Sequence, residues 1–147
     1  MNWSRNKSLC LSRVCVAVFA VLLAALAAGA PWLWPRLLRR GSASLVPLYV
    51  AVTWFSAVPA AVVLWRLHLL LASIGRGDVF CAQNARSLRI ISWCCIAAGL
   101  VYLAGGAWDA YLLILAAAAG FVGLILRVLK NVFEEAVRIK EENDYTI

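Results

Sequence analysis

The stretch Tyr111-Leu-Leu-Ile-Leu-Ala-Ala-Ala-Ala-Gly-Phe-Val-Gly-Leu-Ile-Leu-Arg127-Val-Leu129 decides the fold. It carries no charge before Arg127. A helix rises about 1.5 Å per residue, so about 20 apolar residues cross the roughly 30 Å hydrocarbon core of a bilayer. The run is continuous rather than alternating, and Ala and Leu dominate it, so it reads poorly as a barrel strand. Working outward, Gly105-Gly106-Ala107-Trp108-Asp109 forms a tight turn, and the run Ile90–Ala107 precedes it. Two further runs, Val14–Trp34 and Leu45–Leu71, lie nearer the N-terminus. Pro59, in the middle of the second run, removes one backbone hydrogen bond and predicts a kink. The expected fold is all-α: a polytopic membrane protein with four transmembrane helices in one domain, residues 1–147, spanning about 14–34, 45–71, 90–107 and 111–129.

Composition agrees. The chain is 65% hydrophobic and 14% charged, against roughly 45–50% and about 25% for soluble domains. A soluble fold of 147 residues has too little interior for that much apolar surface. The net charge of +7 comes from basic residues placed between the apolar runs. Membrane orientation and contact with anionic headgroups account for them before nucleic acid does, so direct nucleic-acid binding is not expected.

The first run follows Arg5, Lys7 and Arg13, and Ala28-Gly29-Ala30 looks like a signal-peptidase site. Pro31 would follow the cut and block it, so an uncleaved helix is expected. With the N-terminus inside, eleven basic residues face the cytoplasm, and only Arg36, Arg39 and Arg40 face outward. This predicts an N-in/C-in protein of the inner, cytoplasmic membrane. Trp32, Trp34, Tyr49, Trp108 and Tyr111 then mark the outer boundary, and Trp3, Trp65 and Trp93 the inner one. Ala20, Ala24 and Ala28, and also Ala116, Gly120 and Gly123, form stripes of small residues suited to helix packing or to a homo-oligomer.

No intramembrane chemistry is legible. None of the seven acids falls at mid-membrane, whereas ion-coupled transporters usually carry an ionisable group there. Catalytic, cofactor and metal residues are all absent from the reading: no nucleophile–base set, no His-Glu-x-x-His, no Gly-rich phosphate loop. The single His68 lies one turn from Arg66, and both are expected to reach the headgroups. The cysteines, Cys10, Cys15, Cys81, Cys94 and Cys95, show no metal-ligand spacing and read as packing residues.

Specificity is left to two cytoplasmic segments. In the loop 72–89, Gly75 and Gly77 suit a helix end and a tight turn. A new helix should begin near Cys81, with Phe80, Asn84, Leu88 and Ile91 on one face and Arg86 and Arg89 on another. In the tail 130–147, nothing after Gly123 breaks the helix, and Val128, Val132, Ala136 and Ile139 line one side. Glu134 with Arg138, and Arg138 with Glu142, are expected pairs. The tail ends in the acidic Glu141-Glu142-Asn143-Asp144, which should not seek anionic lipid. The expected partner contacts are therefore Phe80, Asn84, Arg86, Leu88, Arg89, Glu141, Glu142, Asn143, Asp144 and Thr146.

Two of these stretches resemble a small bacterial membrane family, domain of unknown function 2975. One is Gly77-Asp78-Val79-Phe80 with Asn84 and Leu88-Arg89; the other is Ile139-Lys140-Glu141-Glu142-Asn143-Asp144-Tyr145-Thr146-Ile147. The four-span layout matches as well. Cys81, Gln83 and Tyr145 stand where the family usually has Thr, Glu and Leu. Loss of a Thr cap costs about 1 kcal/mol and predicts a less firm helix start. The resemblance implies a membrane protein working with a small helix-turn-helix regulator of the Cro/C1 type. The leading expectation is thus a non-enzymatic regulator or anchor. The alternative is a protection or immunity protein against membrane-active peptides or compounds, with the outer arginines repelling cationic peptides.

Overall fold

The computed structural model describes residues 3–38, 43–77 and 81–145. Four helices follow one another: α1 (Trp3–Leu37), α2 (Val46–Gly75), α3 (Ala82–Gly105) and α4 (Tyr111–Tyr145), with a 3₁₀ turn at Ala43–Leu45 before α2. There is no strand among the described residues. Each of the four helices is long and apolar enough to cross a membrane, and the chain is a multi-pass membrane protein.

The helices outrun the apolar runs, because backbone hydrogen bonding continues into the interface after hydrophobicity has ended. α1 begins eleven residues before Val14, and α4 continues through the whole described tail. α3 stops at Gly105, two residues short of the Ala107 boundary expected from hydropathy, because the tight turn to α4 already begins at Gly106. α2 closes at Gly75, and Gly77 takes a left-handed φ of 92° in the turn that follows.

α1 also runs through Pro31 and Pro35. Proline has no N–H, so Pro31 leaves the Ala27 carbonyl without its helical donor. The Trp54 indole of α2 supplies one, donating to Ala27 O at 2.9 Å. Neighbouring helices re-satisfy freed backbone groups in this way within a bilayer.

Each helix packs on its neighbour in the chain, most closely at α3–α4. Glycine permits the approach at two levels. A Cβ on Gly105 would come 2.6 Å from Leu112 Cδ1 and 3.2 Å from Val52 Cγ2, so α2, α3 and α4 meet around Leu112, which is only 2% exposed. At the next level Gly123 lies against Ile96, Cys95 and the Ser92 carbonyl. There the Ser92 hydroxyl donates to the Gly123 carbonyl at 2.8 Å. No buried side-chain nitrogen or oxygen among the described residues is left without a partner.

α1 has no such cover. Within the span only Val16 and Ala30 are buried among its described side chains, and Val18, Phe19, Val21 and Leu22 are exposed. In water such a surface would aggregate; lipid accepts it. Between the helices a groove of about 730 Å³ is lined by all four, including Phe19, Pro59, Tyr102 and Val122.

Candidate functional site

The start of α3 and the far half of α4 form one end of an antiparallel hairpin. Cys81 precedes α3 with an extended backbone (φ −130°, ψ 150°) and gives no side-chain cap. Its carbonyl accepts from Asn84 N at 3.0 Å, and its sulfur lies 3.7 Å from the Ser73 hydroxyl at the end of α2. The thiol therefore ties the end of α2 to the start of α3 and is not itself spent on capping α3.

Of the face expected in this helix, Asn84, Leu88 and Ile91 do lie together, but they point inward. Asn84 is 2% and Leu88 7% exposed, and Ile91 is buried beside them. Asn84 and Leu88 build the packing between helices, and a partner meets neither unless the helices separate. This corrects their place among the surface contacts. The helical period set which residues share a face; only the docking of the neighbouring helices set which face is inside. Arg86 and Arg89 are exposed. With Ala82, Ala85, Glu134 and Val137 they line a shallow pocket of about 170 Å³ between α3 and α4. Phe80 and Thr146 lie outside the described residues.

α4 has 35 residues, about 52 Å at 1.5 Å per residue, against a hydrocarbon core of about 30 Å. Its last turns therefore stand clear of a membrane holding its first part. Lys130 pairs with Glu134 at 2.8 Å, and Arg138 pairs with Glu135 at 2.6 Å and Glu142 at 3.7 Å. The expected Glu134–Arg138 pair is replaced, since Arg138 turns to Glu135 one position along and Lys130 takes Glu134. Glu141, Glu142, Asn143 and Asp144 are all exposed. Of the expected side Val128, Val132, Ala136 and Ile139, the three larger residues are exposed and Ala136 is half-buried.

At the other end of the helices lies a polar cluster that sequence reasoning missed. The Trp34 indole donates to the Thr53 hydroxyl at 3.0 Å, and that hydroxyl donates to the Tyr49 carbonyl at 2.7 Å. The Tyr49 hydroxyl donates to Asp109 Oδ2 at 2.6 Å, while Asp109 Oδ1 accepts from the Tyr111 amide at 3.1 Å. The Trp34 and Tyr49 rings lie 4.7 Å apart. Asp109 thus caps α4 in the manner of an N-cap carboxylate. The Tyr49 hydroxyl, and after it the Tyr111 amide, hold the Asp109 carboxyl below its usual range. The cluster ties α1, α2 and the α3–α4 turn together; it pairs no nucleophile with a base. The available signal was Asp109 two residues before Tyr111 at a helix start, but no local pattern names Tyr49 as its second partner.

Among the described residues no three His, Cys, Asp or Glu side chains gather as a metal site. At the end opposite Asp109, Arg127 lies over the Trp93 ring at 5.4 Å, an arrangement that places a cation and an interfacial aromatic together.

A family model matches residues 27–147, and the chain belongs to the family described as Protein of unknown function (DUF2975). No curated protein matches the chain. No solved structure matches it.

Proposed function

We propose that this DUF2975 member is a non-enzymatic regulator or anchor of the bacterial cytoplasmic membrane, holding a cytosolic partner such as a helix-turn-helix transcription factor. Both chain ends lie in the cytoplasm, as the excess of basic residues at that end favours. The observation that carries the reading is the unbroken α4. It presents Glu141, Glu142, Asn143 and Asp144 as exposed helix, with Ile139 and Tyr145 also exposed. A mixed acidic and apolar helical surface suits a basic protein partner better than an anionic membrane. Arg86 and Arg89 form the second contact, beside the same helix.

Deleting Glu141–Ile147 from the full chain tests the reading. Co-purification with the helix-turn-helix protein should be lost while membrane insertion is kept. Unchanged co-purification rejects it.

One feature favours the alternative of protection against membrane-active compounds: the apolar groove of about 730 Å³ could admit such a compound from the bilayer. Unaltered sensitivity to these compounds in a strain lacking the protein rejects that alternative.

A further inference from the structure

α1 and α2 face each other with small side chains, and small side chains normally let membrane helices close on one another. Here the two helices touch, but the closure is incomplete. A groove of about 580 Å³ remains between Ala17, Ala20 and Ala24 of α1 and Ala57 and Ala61 of α2. A bilayer leaves no such space empty, because unfilled apolar walls forfeit dispersion contacts.

One end of the groove differs from the rest. Arg13 and His68 line it there, with Trp65 beside them. Arg13 and His68 are both exposed, and the Arg13 guanidinium rests against Gly75 at the end of α2, where an added Cβ would come 2.9 Å from Nη2. Among the described residues no carboxylate lines the groove, and Arg13 makes no ion pair with any of them. The shape is that of an apolar slot with a cationic mouth and an aromatic ring at the boundary.

We propose that this groove is a binding site for an anionic glycerophospholipid, with its phosphate at Arg13 and His68 and one acyl chain along the alanine walls. Basic pockets between transmembrane helices hold anionic headgroups by this combination of charge and apolar depth. The guanidinium gives a phosphate two parallel donors, which a zwitterionic lipid's own ammonium would oppose. The site is independent of the tail and of any cytosolic partner, so the two proposals fail separately.

The test uses the full chain in vesicles of phosphatidylcholine and phosphatidylglycerol, extracted gently and weighed by native mass spectrometry. The wild-type chain should retain phosphatidylglycerol in preference to phosphatidylcholine. Arg13→Gln should lower that retention about fivefold, and Ala24→Leu with Ala61→Leu should remove it by filling the slot. Arg138→Gln, an equal change of charge on the tail, should leave retention unaltered, and circular dichroism should show the same helix content throughout. Equal retention of the two lipids by wild type, or equal loss from Arg13→Gln and Arg138→Gln, overturns the proposal. So does a dimer that the double leucine variant dissociates, since a second copy would then be the occupant.

Discussion

Replacing Trp54 by Phe removes one donor and leaves the Ala27 carbonyl with none, because Pro31 cannot restore the helical bond. Interhelical hydrogen bonds in membranes are worth about 0.6 kcal/mol on average, with a maximum near 1.7. The upper part of that range applies, since the bond is 2.9 Å long and the acceptor has lost its own helical donor. Docking of α1 on α2 should therefore weaken by about 1.5 kcal/mol, roughly tenfold in the equilibrium. The Pro31→Ala background supplies the control. With an N–H at position 31, Ala27 O is satisfied within α1, and Trp54→Phe should then cost only about 0.5 kcal/mol. A dye pair on Cys10 and an introduced Arg76→Cys, with the other cysteines changed to alanine, reports docking by energy transfer during titration with a denaturing detergent. Equal losses from Trp54→Phe in the two backgrounds refute the reasoning.

Gly105→Ala should destabilise the helix core by about 1–3 kcal/mol through overpacking against Leu112 and Val52, read as a lower melting temperature in detergent. Gly123→Leu should do more, separating α3 from α4 and breaking the bond from Ser92, seen as faster hydrogen exchange in both helices. Arg138→Ala should change stability by less than about 0.5 kcal/mol, because both of its ion pairs are exposed. Asp109 has a folded value lowered from its ordinary 3.8, so its contribution is complete above that value and lost as pH falls through the lower folded one. Melting temperature should therefore drop on acidification below the ordinary value, and Asp109→Asn should flatten that dependence.

The helices were legible because a bilayer demands long, continuous apolar runs, and the runs 14–34, 45–71, 90–107 and 111–129 meet that demand without competing patterns. The unbroken tail was legible too, since no Gly or Pro follows Gly123. Periodicity grouped Asn84, Leu88 and Ile91, yet could not say that they are buried between helices rather than turned to a partner, because in a membrane both faces of a helix are apolar. The Tyr49–Asp109 bond joins residues sixty positions apart, and the Trp54–Ala27 bond depends on how α1 docks; neither leaves a local trace. Charge pairing in the tail was read from spacing alone, and spacing offers Arg138 more than one glutamate.

The side of the membrane on which α4 ends decides whether its acidic turns can meet a cytosolic partner. Cysteines introduced singly at Trp108 and at Glu141, in a chain without its native cysteines, can be labelled with a membrane-impermeant maleimide on intact cells. Trp108→Cys should react at once, and Glu141→Cys should react only after the cells are permeabilised. Prompt labelling of Glu141→Cys from outside would contradict this topology, since the exposed acidic helix would then face away from every cytosolic partner.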